Sequence, residues 1–333
     1  MKKFTTILFF IVLICSLPGF SKEVPESYPR NVFLDELTGT WCKWCIYGIV
    51  NLENAMEEYG DRLIIVSVHG GDDVMKDQEY CTAVEKLGGF ISYPNAIFNR
   101  NKNIKGAPKE DLLSKIPELL ATGAPAEMSL GTEFINDSNS LSISTQIRFA
   151  AKIENKGWHL SYVIVEDSVH QPDNPLYIQQ NGYAGGGSGE MGGYEDKPAF
   201  VPASDMYYRY VARGSVGGFN GIAESLPFDI ESGKIYTHEY EFELPDNIIE
   251  KDNCHLIALL LDSENQVQQA ERIKFGHSMP ALQKGSSSTL PIEVEETDGY
   301  QIYMPNGIRV DKPVKGINII RHSNGKISKI LVK

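Results

Sequence analysis

Trp41-Cys42-Lys43-Trp44-Cys45 carries the chain's clearest chemical signal. Two cysteines three positions apart follow an apolar run, Val32-Phe33-Leu34, and precede a helical pattern. That spacing permits a Cys42–Cys45 disulfide, and it also supplies half of a zinc site. Thiol chemistry needs one nucleophilic sulfur. The free N–H groups and positive dipole end of a helix favour a thiolate, so Cys42 at the helix N-terminus is expected to ionise below the free-thiol value of about 8.5. Lys43 adds to the effect. Cys42 is thus the expected nucleophile, and Cys45 the resolving thiol that attacks a mixed disulfide and releases the substrate.

Other residues give this pair a setting. Glu36 lies six positions before Cys42, at the inner end of the strand that leads to it. Two readings stand side by side: a buried carboxyl with a raised pKa that exchanges a proton with Cys45, or an exposed, solvated acid. Tyr93-Pro94 is an X-Pro bond, where cis geometry is tolerable. Taken alone it is expected to be trans; a cis bond facing the dithiol would offer Tyr93 backbone groups to a substrate peptide. His69, followed by Gly70-Gly71, is a candidate for the edge of the site, with an ordinary loop histidine as the bland reading. A structural zinc site needs four ligands. Cys81 and Cys254 are solitary and His69, His159, His170 and His255 show no paired spacing, so no metal is expected. No cofactor is expected beyond the redox-active disulfide itself, and Cys81 and Cys254 are expected to be buried free thiols.

The elements that must position these groups follow from periodicity. Ile49, Leu52, Ala55, Met56 and Tyr59 repeat at helical spacing, and Gly60 is placed to end that helix. Leu63–Val68 reads as a buried strand, a second helix covers roughly Asp73 to Leu87, and a strand runs through Ala96-Ile97-Phe98. A last helix over Leu112–Leu120 is expected to kink at Pro117. This is α/β architecture over residues 22–124. From Pro125 alternation takes over, with strands at His159–Val165, Met206–Val211, Ile235–Phe242, His255–Leu261 and Val267–Ile273, so residues 125–276 are expected to form a β-sandwich. The Gly-rich connection between Val165 and Met206 lacks the Gly-Lys-Ser/Thr of a phosphate loop and reads as a flexible surface loop. Residues 277–298 read as a linker, and 299–333 as a compact β-module of four short strands.

At 333 residues and 42% hydrophobic the chain can bury more than one core. A net charge of −13 without clustered Lys or Arg excludes nucleic acid. Residues 1–21 read as a secretory signal peptide: Lys2 and Lys3, a short apolar run, then Gly19 and Ser21 at the −3 and −1 positions. The mature chain is therefore expected outside the cytoplasm, in the periplasm, on the outer membrane or at the cell surface. Disulfides persist there.

With these residues in hand, the segment from about 31 to 123 resembles the thioredoxin-like superfamily: a strand, Trp-Cys-x-x-Cys, a helix, a strand, then Tyr93-Pro94 before another strand. The resemblance implies Cys42 as attacking thiol, Cys45 as resolving thiol, Pro94 as a cis-proline and Glu36 as the buried acid. Trp41, Lys43, Trp44 and Tyr93 would then contact substrate. More closely, Glu36–Cys45, Val68-His69-Gly70, Val165-Glu166-Asp167 and Leu256–Asp262 with Val267–Ala270 resemble the twenty-eight-kilodalton outer-membrane-protein-related family of Bacteroidetes. That family commonly has proline after the second cysteine, where this chain has Ile46. The tail from Gly316 to Lys333 resembles the end of a type IX secretion sorting domain. The expectation is an exported thiol–disulfide oxidoreductase acting on exported protein thiols or disulfides, served by an envelope redox partner. The alternative is an envelope binding protein whose Cys42–Cys45 disulfide is only structural.

Overall fold

The computed structural model describes residues 24–90, 92–135, 139–154, 157–283, 301–304, 309–310, 312–314, 316–321 and 327–332. The expected signal peptide, 1–21, and residues 284–298 of the expected linker lie outside the described residues.

The Val32-Phe33-Leu34 run extends into β1 (Val32–Thr38), buried along its whole length. Helix α1 (Ile46–Tyr59) follows and ends at Gly60, whose positive φ of 56° with ψ of −136° is a conformation open to glycine and strained for other residues. Strand β2 (Leu63–His69) pairs in parallel with β1, setting Glu36 opposite Ser67. Helix α2 (Gln78–Gly88) starts later than its periodicity implies, because Asp77 caps it by accepting the Tyr80 N–H while Asp73 is engaged by His69. Strand β3 (Asn95–Phe98) is antiparallel to β1, and β4 (Lys105–Gly106) is antiparallel to β3. The last expected helix is two: α3 (Glu110–Leu113) and α4 (Lys115–Ala121). Pro117 falls in the first turn of α4, where its missing N–H has no helical partner to lose.

The remaining long strands are β5 (Ala126–Phe134), β6 (Ser140–Phe149), β7 (His159–Glu166), β8 (Val211–Val216), β9 (Ile235–Glu243), β10 (Cys254–Leu261) and β11 (Val267–Lys274). Strand β8 begins where the expected Met206–Val211 strand was to end. Tyr210 has a φ of 47°, outside the strand region, so regular pairing starts only at Val211.

Residues on both sides of position 125 share one eight-stranded sheet, ordered β11-β10-β7-β8-β2-β1-β3-β4. The join is β2 with β8: Val211 pairs with Ser67, whose N–H donates to the Tyr210 carbonyl at 2.9 Å. The α/β segment and the strand-rich segment, expected as separate domains, therefore lie together in the compact unit Met1–Ser288. One face of the sheet carries a continuous core, with Phe33, Ile64, Val66, Val163, Val165, Ile257 and Leu259 under Tyr80, Cys81 and Val84 of α2. The other face is divided. Leu52, Ala55 and Ile116, from α1 and α4, cover Val32, Leu34, Ile65 and Phe98. The three-stranded sheet β9-β6-β5 covers the rest, with Leu130, Ile143 and Ile147 against Tyr162, Leu256 and Leu260. Sheet-on-sheet packing is thus confined to that half.

Cys81 and Cys254 are buried free thiols in these cores, as expected. Residues 277–283 do not begin a linker. They run beside β5, where Thr132 N–H donates to the His277 carbonyl and Met279 N–H to the Leu130 carbonyl. The second unit, Thr289–Lys333, contains a four-stranded antiparallel sheet of β12 (Gln301–Tyr303), β13 (Arg309–Val310), β14 (Gly316–Arg321) and β15 (Ile327–Val332), matching the expected strands.

A buried ion pair ties β7 to β8. Arg213 Nε donates to Glu166 Oε2 at 2.7 Å, and Glu166 also accepts the N–H groups of Ile249 and Glu250. Both side chains are almost fully buried. Arg213→Met leaves the Glu166 charge buried without its cation, and a loss of about 3–5 kcal/mol is expected in urea unfolding. A change under about 1 kcal/mol would mean the pair is not a support of the fold.

Candidate functional site

The site forms where β1 ends and α1 begins. Cys42 and Cys45 are joined by a disulfide, with Cys45 fully buried and Cys42 only 6% exposed. Cys42 is not at the helix N-terminus, as the periodicity implied. Cys45 is the N-cap of α1, and Cys42 sits one tight turn ahead, its carbonyl accepting the Cys45 N–H at 3.0 Å. Lys43 is exposed, and its ammonium lies 5.0 Å from the Trp44 ring centroid.

Glu36 and Pro94 converge beneath the first turn of α1. At Gly48, three residues after Cys45, an added Cβ would collide with Glu36 Oε1 and lie 3.4 Å from Pro94 Cβ. The Tyr93-Pro94 bond is cis, not trans as for an isolated X-Pro pair. Tyr93 is anchored on both sides: its hydroxyl donates to Glu85 at 2.7 Å, and its ring lies 5.2 Å from that of Trp41. The Trp41 indole N–H donates to the Gly70 carbonyl at 2.7 Å. Gly70 and Gly71 admit these rings because a Cβ at either would overlap Tyr93 or Trp41.

Glu36 is the buried acid of the two readings. Burial, reinforced by the nearby Glu53, pushes its carboxyl up to about 8. Its Oε1 has no hydrogen-bond partner among the described residues. A cavity of about 30 Å³ is lined by Glu36, Glu53, Ser67, His69 and Tyr208, so a second carboxyl from α1 borders the same space.

His69 is no exposed loop residue. It is buried at the end of β2, its Nδ1 is 2.9 Å from Asp73 Oδ2, and its ring meets Tyr208 edge-on. Burial opposes ionisation of Asp73, but the His69 ring and the Thr40 and Met75 N–H groups outweigh it and hold the carboxyl at about 2. Asp73 thus ties the residue two positions before Cys42 to the end of β2.

The long Gly-rich connection is a strap laid on the cysteine loop, not a free loop. Gln180 N–H donates to the Thr40 carbonyl and Gly182 N–H to the Lys43 carbonyl, both at 2.8 Å. The buried Gln179 side-chain amide reaches the Gly39 and Cys42 carbonyls at 3.4 and 3.2 Å. Trp44 lies over Gly182 and meets the Tyr183 ring edge-on at 5.8 Å. The strap is internally braced by Asn181, which bonds the Tyr194 and Pro198 carbonyls and the Tyr183 N–H. Sequence reading missed Asp73, Gln179, Tyr183 and Glu53, because none stands at a spacing that betrays contact with residues 40–45. The one available signal was the cluster of tyrosines and asparagines around the glycines, which a solvated linker does not need.

The elevated Glu36 value has a pH consequence. Between the ordinary 4.5 and about 8, the folded chain keeps a proton on Glu36 that the unfolded chain has lost. Stability therefore falls as pH rises through that window, with a slope approaching about 1.4 kcal/mol per pH unit. Glu36→Gln cannot ionise, so it is expected to gain stability over wild type at pH 9 relative to pH 5 in urea unfolding. An identical difference at both pH values would place the Glu36 pKa near its ordinary value.

Among solved structures, the chain is similar to HBP35 of Porphyromonas gingivalis, at 20% identity and a TM-score of 0.56, covering 92% of this chain and 99% of that one. This likeness supports the fold. Two further likenesses are too distant in shape to carry an argument. One is an Agrobacterium tumefaciens protein, at 13% identity and a TM-score of 0.36, covering 76% of this chain and 97% of that one. The other is a domain of the outer membrane lipoprotein Omp28 from Porphyromonas gingivalis, at 13% identity and a TM-score of 0.25, covering 46% and 89%. No curated protein matches the chain in sequence. The family model described as outer membrane protein Omp28 matches residues 82–279, more than half of the chain. The chain belongs to the Omp28 outer membrane protein family, and with it to the exported proteins that are associated with the outer membrane or the cell surface.

Proposed function

We propose that this envelope protein is a thiol–disulfide oxidoreductase built on a thioredoxin-like unit, with Cys42 as the exchanging sulfur and Cys45 as the resolving one. The observation that carries the reading is the convergence at Gly48: the buried acid Glu36 and the cis-proline Pro94 both abut the first turn that follows Cys45. Support also comes from the strand order β2-β1-β3-β4, with β1 and β2 parallel and the next two pairs antiparallel.

In the oxidised state a substrate thiolate attacks Cys42 Sγ. The Cys42–Cys45 bond breaks, and Cys45 leaves as a thiolate that takes a proton from Glu36, which is protonated at neutral pH. A second substrate thiolate then attacks the mixed disulfide and expels Cys42 as a thiolate. Two electrons pass from the substrate dithiol to the protein, and the reverse sequence reduces a substrate disulfide. The C-terminal four-stranded unit is read as a sorting-like module that delivers this chemistry to the envelope surface.

Family membership by itself speaks for a second reading, an envelope binding protein whose Cys42–Cys45 disulfide only braces the loop. The matched residues begin at 82, beyond the dithiol, and the strap's grip on that loop fits a structural bond as well. Reduction of insulin or of an aromatic disulfide by the full chain separates the two. The oxidoreductase reading expects turnover in wild type, a loss of about 100-fold or more in Cys42→Ser, and a trapped mixed disulfide in Cys45→Ser. Absence of turnover, with reduced Cys42 alkylated no faster than a free thiol at pH 7, leaves the structural reading standing.

A further inference from the structure

The strap does more than hold the cysteine loop. Together with the Gly71–Val74 turn it builds an open groove of about 950 Å³ whose lining includes Thr40 and Trp41, the two residues before Cys42. Trp41 forms one wall, and Val74, Leu176 and Phe200 extend the apolar lining. These four are heavily exposed: Trp41 41%, Val74 46%, Leu176 61% and Phe200 62%. Large apolar side chains held in water around one depression are costly unless something covers them. They are also well supported. Trp41 is fixed by the Gly70 carbonyl, and Phe200 stands on a short strand pair with Gln180, whose N–H is bonded to Thr40. The groove is therefore a formed surface, and its floor spends the Gln180 N–H internally, leaving side-chain contacts to do the binding.

We infer that this groove is the recognition site for an extended, cysteine-bearing polypeptide segment with large apolar or aromatic side chains next to its cysteine. The inference rests on the oxidoreductase reading and names its substrate class. Three observations select this occupant. Thr40 and Trp41, both in the groove, are the two residues immediately before Cys42, so a chain lying in the groove is held next to the loop that carries the exchanging sulfur. The lining carries a single charge, Asp72, within a chain of net charge −13, which disfavours acidic peptides and favours neutral or basic ones. The groove is also open to solvent along its apolar lining, which suits the side chains of an extended segment better than a molecule that must be enclosed. Cysteines and large apolar side chains are mostly buried in finished proteins and far more exposed before folding is complete. The favoured partner is accordingly an exported protein that has not yet buried its cysteines.

Equilibrium binding tests this separately from redox turnover. The probes are fluorescent decapeptides with the central cysteine replaced by serine, so that no exchange occurs. One set is flanked by Phe and Leu, a second by Ser and Asn, and a third by Phe and Leu with added Glu. The full-length wild type is expected to bind the neutral apolar set at least about tenfold more tightly than the polar set, with the acidic set weaker than the neutral one. Phe200→Ser and Leu176→Ser are each expected to weaken apolar-peptide binding about tenfold, with far-ultraviolet circular dichroism reporting that both fold. Equal affinity for the apolar and polar sets overturns the inference, as does undiminished binding in both folded variants. So does self-association of wild type that Phe200→Ser abolishes while no peptide binds, since the occupant is then a second copy of this chain. Loss of insulin reduction with intact peptide selectivity would instead overturn the oxidoreductase reading and leave the groove as a peptide-binding surface.

Discussion

The structure depends on one apolar face that runs without interruption across the eight-stranded sheet. Phe33, Ile64, Ile257 and Leu259 share one core with Tyr80, Cys81 and Val84 of α2, and Met56 of α1 and the connecting residues Phe90, Tyr93 and Phe219 pack against it. Burial of apolar area at roughly 25 cal/mol per Å² makes such a face the dominant stabilising feature, and it cannot be divided between two independent bodies without exposing its middle. The single parallel contact of Ser67 with Val211 would be a weak join alone. It is secured because the side chains on either side of it share a core.

That shared sheet explains why the strap lands on the cysteine loop. Strand β7 and strand β8 are neighbours beside β2, so the connection between them must leave and return close to the end of β2. His69 and Asp73 lie at that end, and Thr40 is bonded to Asp73. The connecting residues meet the loop's outward carbonyls there and satisfy them through Gln179, Gln180 and Gly182. A buried carbonyl without a donor costs free energy, so a loop of this length is more stable docked than solvated. The groove beside Trp41 is a by-product of the same docking, because its far wall is strap.

Within the site, hydrogen-bond and charge partners set chemically similar buried groups apart. Glu36 and Asp73 are both carboxyls at the end of the same sheet, yet one is pushed up to about 8 and the other held at about 2. The difference is partners. Asp73 accepts two backbone N–H groups and faces His69, whereas Glu36 faces a small cavity and another acid. Glu36 is therefore protonated and Asp73 ionised at neutral pH, and Asp73 holds the loop through the Thr40 N–H.

Local patterns in the sequence determined a good deal. The helix that follows Cys45, its end at Gly60, the buried run Leu63–Val68, the strands after Pro125 other than Met206–Val211, and the four strands of the C-terminal unit are written in short-range periodicity and turn residues, and they form as read. So is the Cys-x-x-Cys pair, because its chemistry lies in adjacent residues. What tertiary structure decided were relations between distant segments: that residues on both sides of position 125 share a sheet, that Glu36 is buried, that the Tyr93-Pro94 bond is cis, that His69 is captured by Asp73, and that a Gly-rich connection grips the cysteine loop. Hydrophobic periodicity says which face of a strand is covered but not which strand lies next to it. Burial, protonation and partner choice follow from that second fact, which exists only once the chain has folded.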